Sequence, residues 1–139
     1  MLMVLIVVKK VHELTGAEYK QCWGLTLGRY GDMQRELAFE RNEGIAGEAL
    51  AIMLKDKERI VAWALIQPPG ELSANWAAGF FTRPSERRKG YGTRLMRYVQ
   101  YNFTPVQCWA YDVASGGFFR NFANEIVCDK ETRTWIESV

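Results

Sequence analysis

Histidine is nearly missing from this chain, with His12 the only one in 139 residues. Cysteine is scarce as well: Cys22, Cys108 and Cys128 are far apart, odd in number, and form no C-x-x-C pair. These two shortages argue against a zinc site of the usual Cys/His kind and fit a reducing compartment. No metal is expected. No apolar run approaches the ~20 residues that span a bilayer. The run at the start, Met1 to Val8, stops at Lys9-Lys10 and lacks the basic leader of a signal peptide, so a cytoplasmic protein without membrane attachment is expected. Two phosphate-loop patterns are also missing. There is no G-x-x-x-x-G-K-[ST], and Leu95 stands where a third glycine after Gly90 and Gly92 would complete G-x-G-x-x-G. Repeats, linkers and low-complexity tracts are not found.

What is present is ordinary for a globular protein: 48% hydrophobic and 24% charged residues, enough for one domain over 1–139 with one core. Aromatics at 13% suit a ring-rich core and groove walls. The net charge of +2 is uninformative, but six of the eighteen Lys and Arg residues fall between Arg83 and Arg97. A local positive patch on a near-neutral chain suits one anionic ligand better than a long polyanion, so nucleic acid is not expected as a partner. A merely solvated face is the alternative.

Leu2 to Val8 reads as a strand covered on both faces, a buried edge or central member of the sheet. Thr15-Gly16-Ala17-Glu18 has the capping-box spacing, and Tyr19, Cys22, Trp23, Thr26 and Leu27 then mark one helical face. Asp32 is placed to cap a shorter helix carrying Met33 and Leu37, and Arg41 to Gly47 reads as a loop. Glu48 to Leu54 and Ile60 to Ile66 flank a charged turn, predicting an antiparallel hairpin. Asn75 to Thr82 is a further strand, with a bulge or close backbone approach expected at Gly79. A helix from Gly92 presents Tyr91, Leu95, Tyr98, Val99 and Asn102 on one face. Short strands are expected at Val106 to Tyr111, Glu125 to Cys128 and Thr132 to Ile136, and a short helix at Ser115 to Phe122. The order is β-α-α-β-β-β-α-β-α-β-β, an α/β sandwich with a mixed sheet.

The informative stretch runs from Phe80 to Thr93. A strand enters a basic, glycine-containing turn that opens directly into a helix. Helix N-termini present unsatisfied N–H groups and partial positive charge, which suits phosphate. Gly90 and Gly92 allow the main chain to turn its amides inward. Arg87-x-x-Gly90-x-Gly92, behind Phe-Phe-Thr-Arg-Pro, resembles the R/Q-x-x-G-x-G/A signature of the GCN5-related N-acetyltransferase (GNAT) superfamily. The element order resembles that fold along nearly the whole chain.

The resemblance implies a GNAT-like α/β sandwich with a mixed, mostly antiparallel central sheet flanked by helices. It implies an acetyl-CoA-dependent N-acetyltransferase acting by direct attack of an amine on the thioester. Main-chain amides of Phe80, Phe81 and Thr82 would hold the pantetheine arm and thioester carbonyl. Those from Arg87 through Arg88, Lys89, Gly90, Tyr91, Gly92 and Thr93 would hold the pyrophosphate. Arg88, Lys89, Arg94 or Arg97 would reach the ribose phosphate. A base must deprotonate the amine, and Glu43, Glu48 and Asp112 are the candidates. The family's usual proton-donating tyrosine aligns with Phe119, which cannot donate, leaving Tyr111, Ser115 or water. Cys108 is read as a small core hydrophobe rather than an acyl carrier. The acceptor pocket would be built from the Arg29 to Gly47 region, the turn near Pro68 and the final strands. A homodimer could complete it. The alternative is an inactive acyl-CoA-binding or partner-binding module on the same fold.

Overall fold

In the computed structural model, residues 3–26, 31–42, 48–70, 75–109, 126–129 and 134–137 are described. Seven strands form one sheet in the order β1-β2-β3-β4-β5-β7-β6. They are β1 (Leu5–Lys10), β2 (Leu50–Asp56), β3 (Arg59–Gln67), β4 (Trp76–Thr82), β5 (Val106–Trp109), β6 (Ile126–Asp129) and β7 (Thr134–Glu137). Among the described residues only the β4/β5 pairing is parallel; the other pairings are antiparallel. Helices α1 (Gly16–Leu25) and α2 (Gly31–Asn42) follow β1, and α3 (Tyr91–Asn102) connects β4 to β5.

The central strand β3 is buried from Ile60 to Ile66, which is why it reads as an unbroken apolar run. Its two faces serve two cores. Ala62, Ala64 and Ile66, with Ile52 and Leu54 of β2, pack under Leu95, Met96 and Val99 of α3. Ile60, Trp63 and Leu65, with Ala51 and Met53, pack under Cys22 of α1 and Leu37 of α2. The sheet is thus sandwiched between α3 and the α1/α2 pair.

The capping box forms as the spacing predicts: Thr15 Oγ1 accepts from the Glu18 amide, and Glu18 Oε1 accepts from the Thr15 amide. Several expectations need correction. β1 takes the edge place of the two open to it, with β2 its neighbour in the sheet order, but it is not covered on both faces, for Leu5 and Val8 are exposed. On α1 the buried residues are Glu18 and Cys22, with Thr26 at its C-cap, while Trp23 is exposed. Glu18 is drawn inward by Lys9 and Lys55, which rotates the face. α2 starts at Gly31, so Asp32 lies inside it, and it runs on through Arg41 to Asn42. Gly79 carries no bulge: the β3/β4 register is unbroken from Ala62↔Thr82 to Gln67↔Ala77. The bulge lies instead between Leu54 and Lys55. The helix expected at Ser115 to Phe122 falls outside the described residues.

Candidate functional site

β4 carries the site. Its parallel pairing with β5 joins Trp76–Ala78 to Val106–Cys108, and beyond that row β4 continues to Thr82 along β3. Alternation sends Phe80 to the α3 side, where it packs on the core, and Phe81 to the α1/α2 side. Phe81 stacks on Trp63, the facing residue of β3, with ring centroids 5.4 Å apart. Cys108 sits at the last paired row and is buried.

Past Thr82 the chain is fixed to the start of β3. The Arg83 amide donates to the Val61 carbonyl at 2.9 Å, its Nε to the Ile60 carbonyl at 3.0 Å and its Nη2 to Gln21 Oε1 at 3.2 Å. Arg83 is therefore engaged in the fold. A 3-10 turn, Pro84–Glu86, follows, and then a tight turn in which Arg88 (φ 65°) and Gly90 (φ 85°) both take left-handed conformations. Gly90 is the N-cap of α3, which begins at Tyr91, one residue earlier than expected. The Gly90 carbonyl accepts from the Arg94 amide at 3.0 Å, closing the first helical turn. Gly90 has no side chain to cap the first-turn N–H groups, and uncapped amides of this kind suit an external acceptor. A Cβ built on Gly90 would meet nothing within 4 Å, so space lies open over the turn.

The basic side chains divide. Lys89 Nζ donates to Glu86 Oε2 at 2.9 Å, and Arg94 Nη1 to the Val4 carbonyl at 2.6 Å. Arg88 and Arg97 are exposed and have no side-chain partner among the described residues. Arg87 is likewise exposed, and Tyr91, Gly92 and Thr93 are half-buried. Arg59, the first residue of β3, donates to both Glu86 Oε1 and Ser85 Oγ. These bonds from Arg59, and next from Lys89, hold the Glu86 carboxyl below its usual range. Sequence reasoning missed the tie between Arg59 and Glu86. The Glu86/Lys89 spacing was its one local trace.

Among the proton-transfer candidates, Glu48 is described. It precedes β2, its side chain is 70% exposed, and its contact is Lys10 Nζ at 4.0 Å. That places it toward β1, two strands from β4, and no described contact brings it to the β4/β5 junction. Glu43, Tyr111, Asp112, Ser115 and Phe119 lie outside the described residues. Among the described residues no group of three His, Cys, Asp or Glu could hold a metal ion.

The acetyltransferase (GNAT) family model matches residues 8–112, and the chain belongs to that family. No curated protein matches it by sequence. Among solved structures, the chain is similar to an acyl-CoA N-acyltransferase from Pseudomonas aeruginosa at 14% identity and a TM-score of 0.71, covering 98% of this chain and 100% of that one. It is similar to a GNAT family acetyltransferase from Brucella melitensis, solved in complex with acetyl-CoA, at 11% identity and TM-score 0.62, covering 96% and 88%. An acetyltransferase from Thermus thermophilus aligns over 100% of both chains at 12% identity and TM-score 0.66. At such identities these likenesses establish the shared fold, the GNAT-like sandwich expected from the motif.

Proposed function

We propose that this chain is a single-domain acetyl-CoA-dependent N-acetyltransferase over residues 1–139, acting on an amine acceptor. The observation that carries the reading is the left-handed Gly90 turn, which opens α3 directly behind β4 with its first amides uncapped. That arrangement fits a pyrophosphate, and the acetyl-CoA complex of the Brucella melitensis neighbour supports the choice of ligand. Acetyl-CoA, when bound, supplies an acyl thioester to the amine. Amides from Arg87 to Thr93 hold its pyrophosphate, and Arg88 and Arg97 are the cations left to meet its remaining phosphate. Amides of Phe80, Phe81 and Thr82 orient the pantetheine arm and polarise the thioester carbonyl through pre-aligned dipoles.

An ammonium has no lone pair to offer, so a carboxylate must take its proton, directly or through water. Glu43, Glu48 and Asp112 are the candidates, with Tyr111 and Ser115 as donors to the departing thiolate. A cytoplasmic setting fits a chain in which no described helix is long and apolar enough to cross a membrane. A homodimer would supply further acceptor-pocket walls.

Calorimetric titration with acetyl-CoA and CoA tests the reading, beside the double variant Gly90→Glu, Gly92→Glu. Micromolar binding lost in the variant is expected. A folded wild-type protein that binds neither ligand would sink it. Phe119, at the position of the family's tyrosine, favours a second reading, a cofactor-binding module without turnover. Release of free CoA when candidate amines are supplied separates the two.

A further inference from the structure

The nine residues from Thr82 to Gly90 must hold two left-handed positions, one of them at Arg88, a residue with a Cβ. Such a turn persists only where its surroundings determine it. β3 provides those surroundings at two points. Arg83 is tied to the Ile60 and Val61 carbonyls, and Arg59 reaches Ser85 and Glu86 in the next turn. Glu86 then uses its second oxygen for Lys89, immediately before Gly90. One carboxylate, 12% exposed, thus bridges the first residue of β3 to the last side chain before the helix.

We infer that Glu86 is a positioning residue for the anion-binding turn, locking the Arg87–Gly90 backbone onto β3 through Arg59 and Lys89 so that the α3 amides face the ligand. This rests on the cofactor reading above. Simple electrostatics would give the opposite sign. A carboxylate beside a polyanion's site repels it, so removing the charge alone should tighten binding. Removing a lock should weaken it.

The test is calorimetric binding of acetyl-CoA to wild type, Glu86→Gln, Arg59→Gln and the double variant, with the melting temperature of each ligand-free protein. Glu86→Gln is expected to weaken binding roughly tenfold, as loss of a supporting contact does elsewhere. Its free-state melting temperature should stay close to wild type, because its partners Arg59 and Lys89 are themselves exposed and such ion pairs add little to stability. The double variant should bind no more weakly than either single one, because both break the same lock. Unchanged or tighter binding by Glu86→Gln overturns the inference, as do additive losses or a matching fall in melting temperature. A wild type that binds no acetyl-CoA removes the cofactor reading itself, a result distinct from all of these.

Discussion

Lys55 Nζ lies 3.0 Å from Glu18 Oε2, pinning β2 to the first turn of α1. Lys9 of β1 donates to the other oxygen at 2.8 Å, so a carboxylate only 4% exposed is shared by two strands and a helix.

The first prediction concerns pH. Burial on its own would raise the Glu18 pKa, but hydrogen bonds from Lys9, the Thr15 amide and Lys55, with the Lys55 charge, lower it from 4.5 to about 2. An acid depressed in the folded state stabilises above its unfolded value, and that contribution fades as pH falls from 4.5 through about 2. Glu18→Gln should therefore cost about 2–3 kcal/mol at pH 7, leaving Lys55 only the exposed Glu58 as a charge partner, and under about 1 kcal/mol near pH 2. Urea unfolding across that range measures the difference. A pH-independent gap would refute the ion-pair account.

Cys22 packs one turn further along α1, fully buried. Burial first, then the Glu18 charge, push its thiol up to about 12 against a lowering by Lys55. Thiol reagents at pH 8 should leave Cys22 unlabelled until the protein unfolds. Mass spectrometry of labelled peptides, with and without denaturant, reads this directly.

At the anion turn the two left-handed residues should respond oppositely. Gly90→Ala meets no neighbour, so its cost of about 1 kcal/mol comes from backbone strain alone. Arg88→Gly relieves the same strain and should stabilise by about 0.5–1 kcal/mol while weakening acetyl-CoA binding through the lost cation. Thermal unfolding paired with calorimetry separates the two effects.

Trp63 is fully buried, and its Nε1–H finds no hydrogen-bond partner among the described residues. Trp63→Phe keeps a ring on Phe81 and removes an unsatisfied donor, so it should stay within about 1.5 kcal/mol of wild type. Trp63→Ala empties the core beneath α1 and α2 and should cost about 3–5 kcal/mol. Chemical denaturation of both variants decides. A Phe variant as damaged as the Ala variant would show that the indole N–H is satisfied after all.

Features written in consecutive residues were legible in the sequence. The capping box at Thr15, the β2/β3 hairpin and the Arg87-x-x-Gly90-x-Gly92 turn each depend on near neighbours, and the family follows from the last. Features set by distant residues were not. Nothing near Leu5 decides between an edge and a central place for β1, since that depends on which strands pair with β2. The burial of Glu18 required knowing that Lys55 would stand above it. Arg59 and Glu86 are separated by two strands, so the brace on the turn was invisible before the register was known. For Glu48, the contact with Lys10 at the β1/β2 edge likewise depends on a register that no local pattern displays.

The grip of Arg94 on the Val4 carbonyl has a consequence for biosynthesis. β1 leaves the ribosome well before β2, its ladder partner from Leu50 onward, and longer still before the α3 arginine that fastens its leading end. During that interval β1 is an apolar strand with both edges open, the kind of segment that pairs with another nascent copy. Lys9 and Lys10 stand at its end as gatekeepers, and Lys9 is taken up by Glu18 once α1 packs on the sheet.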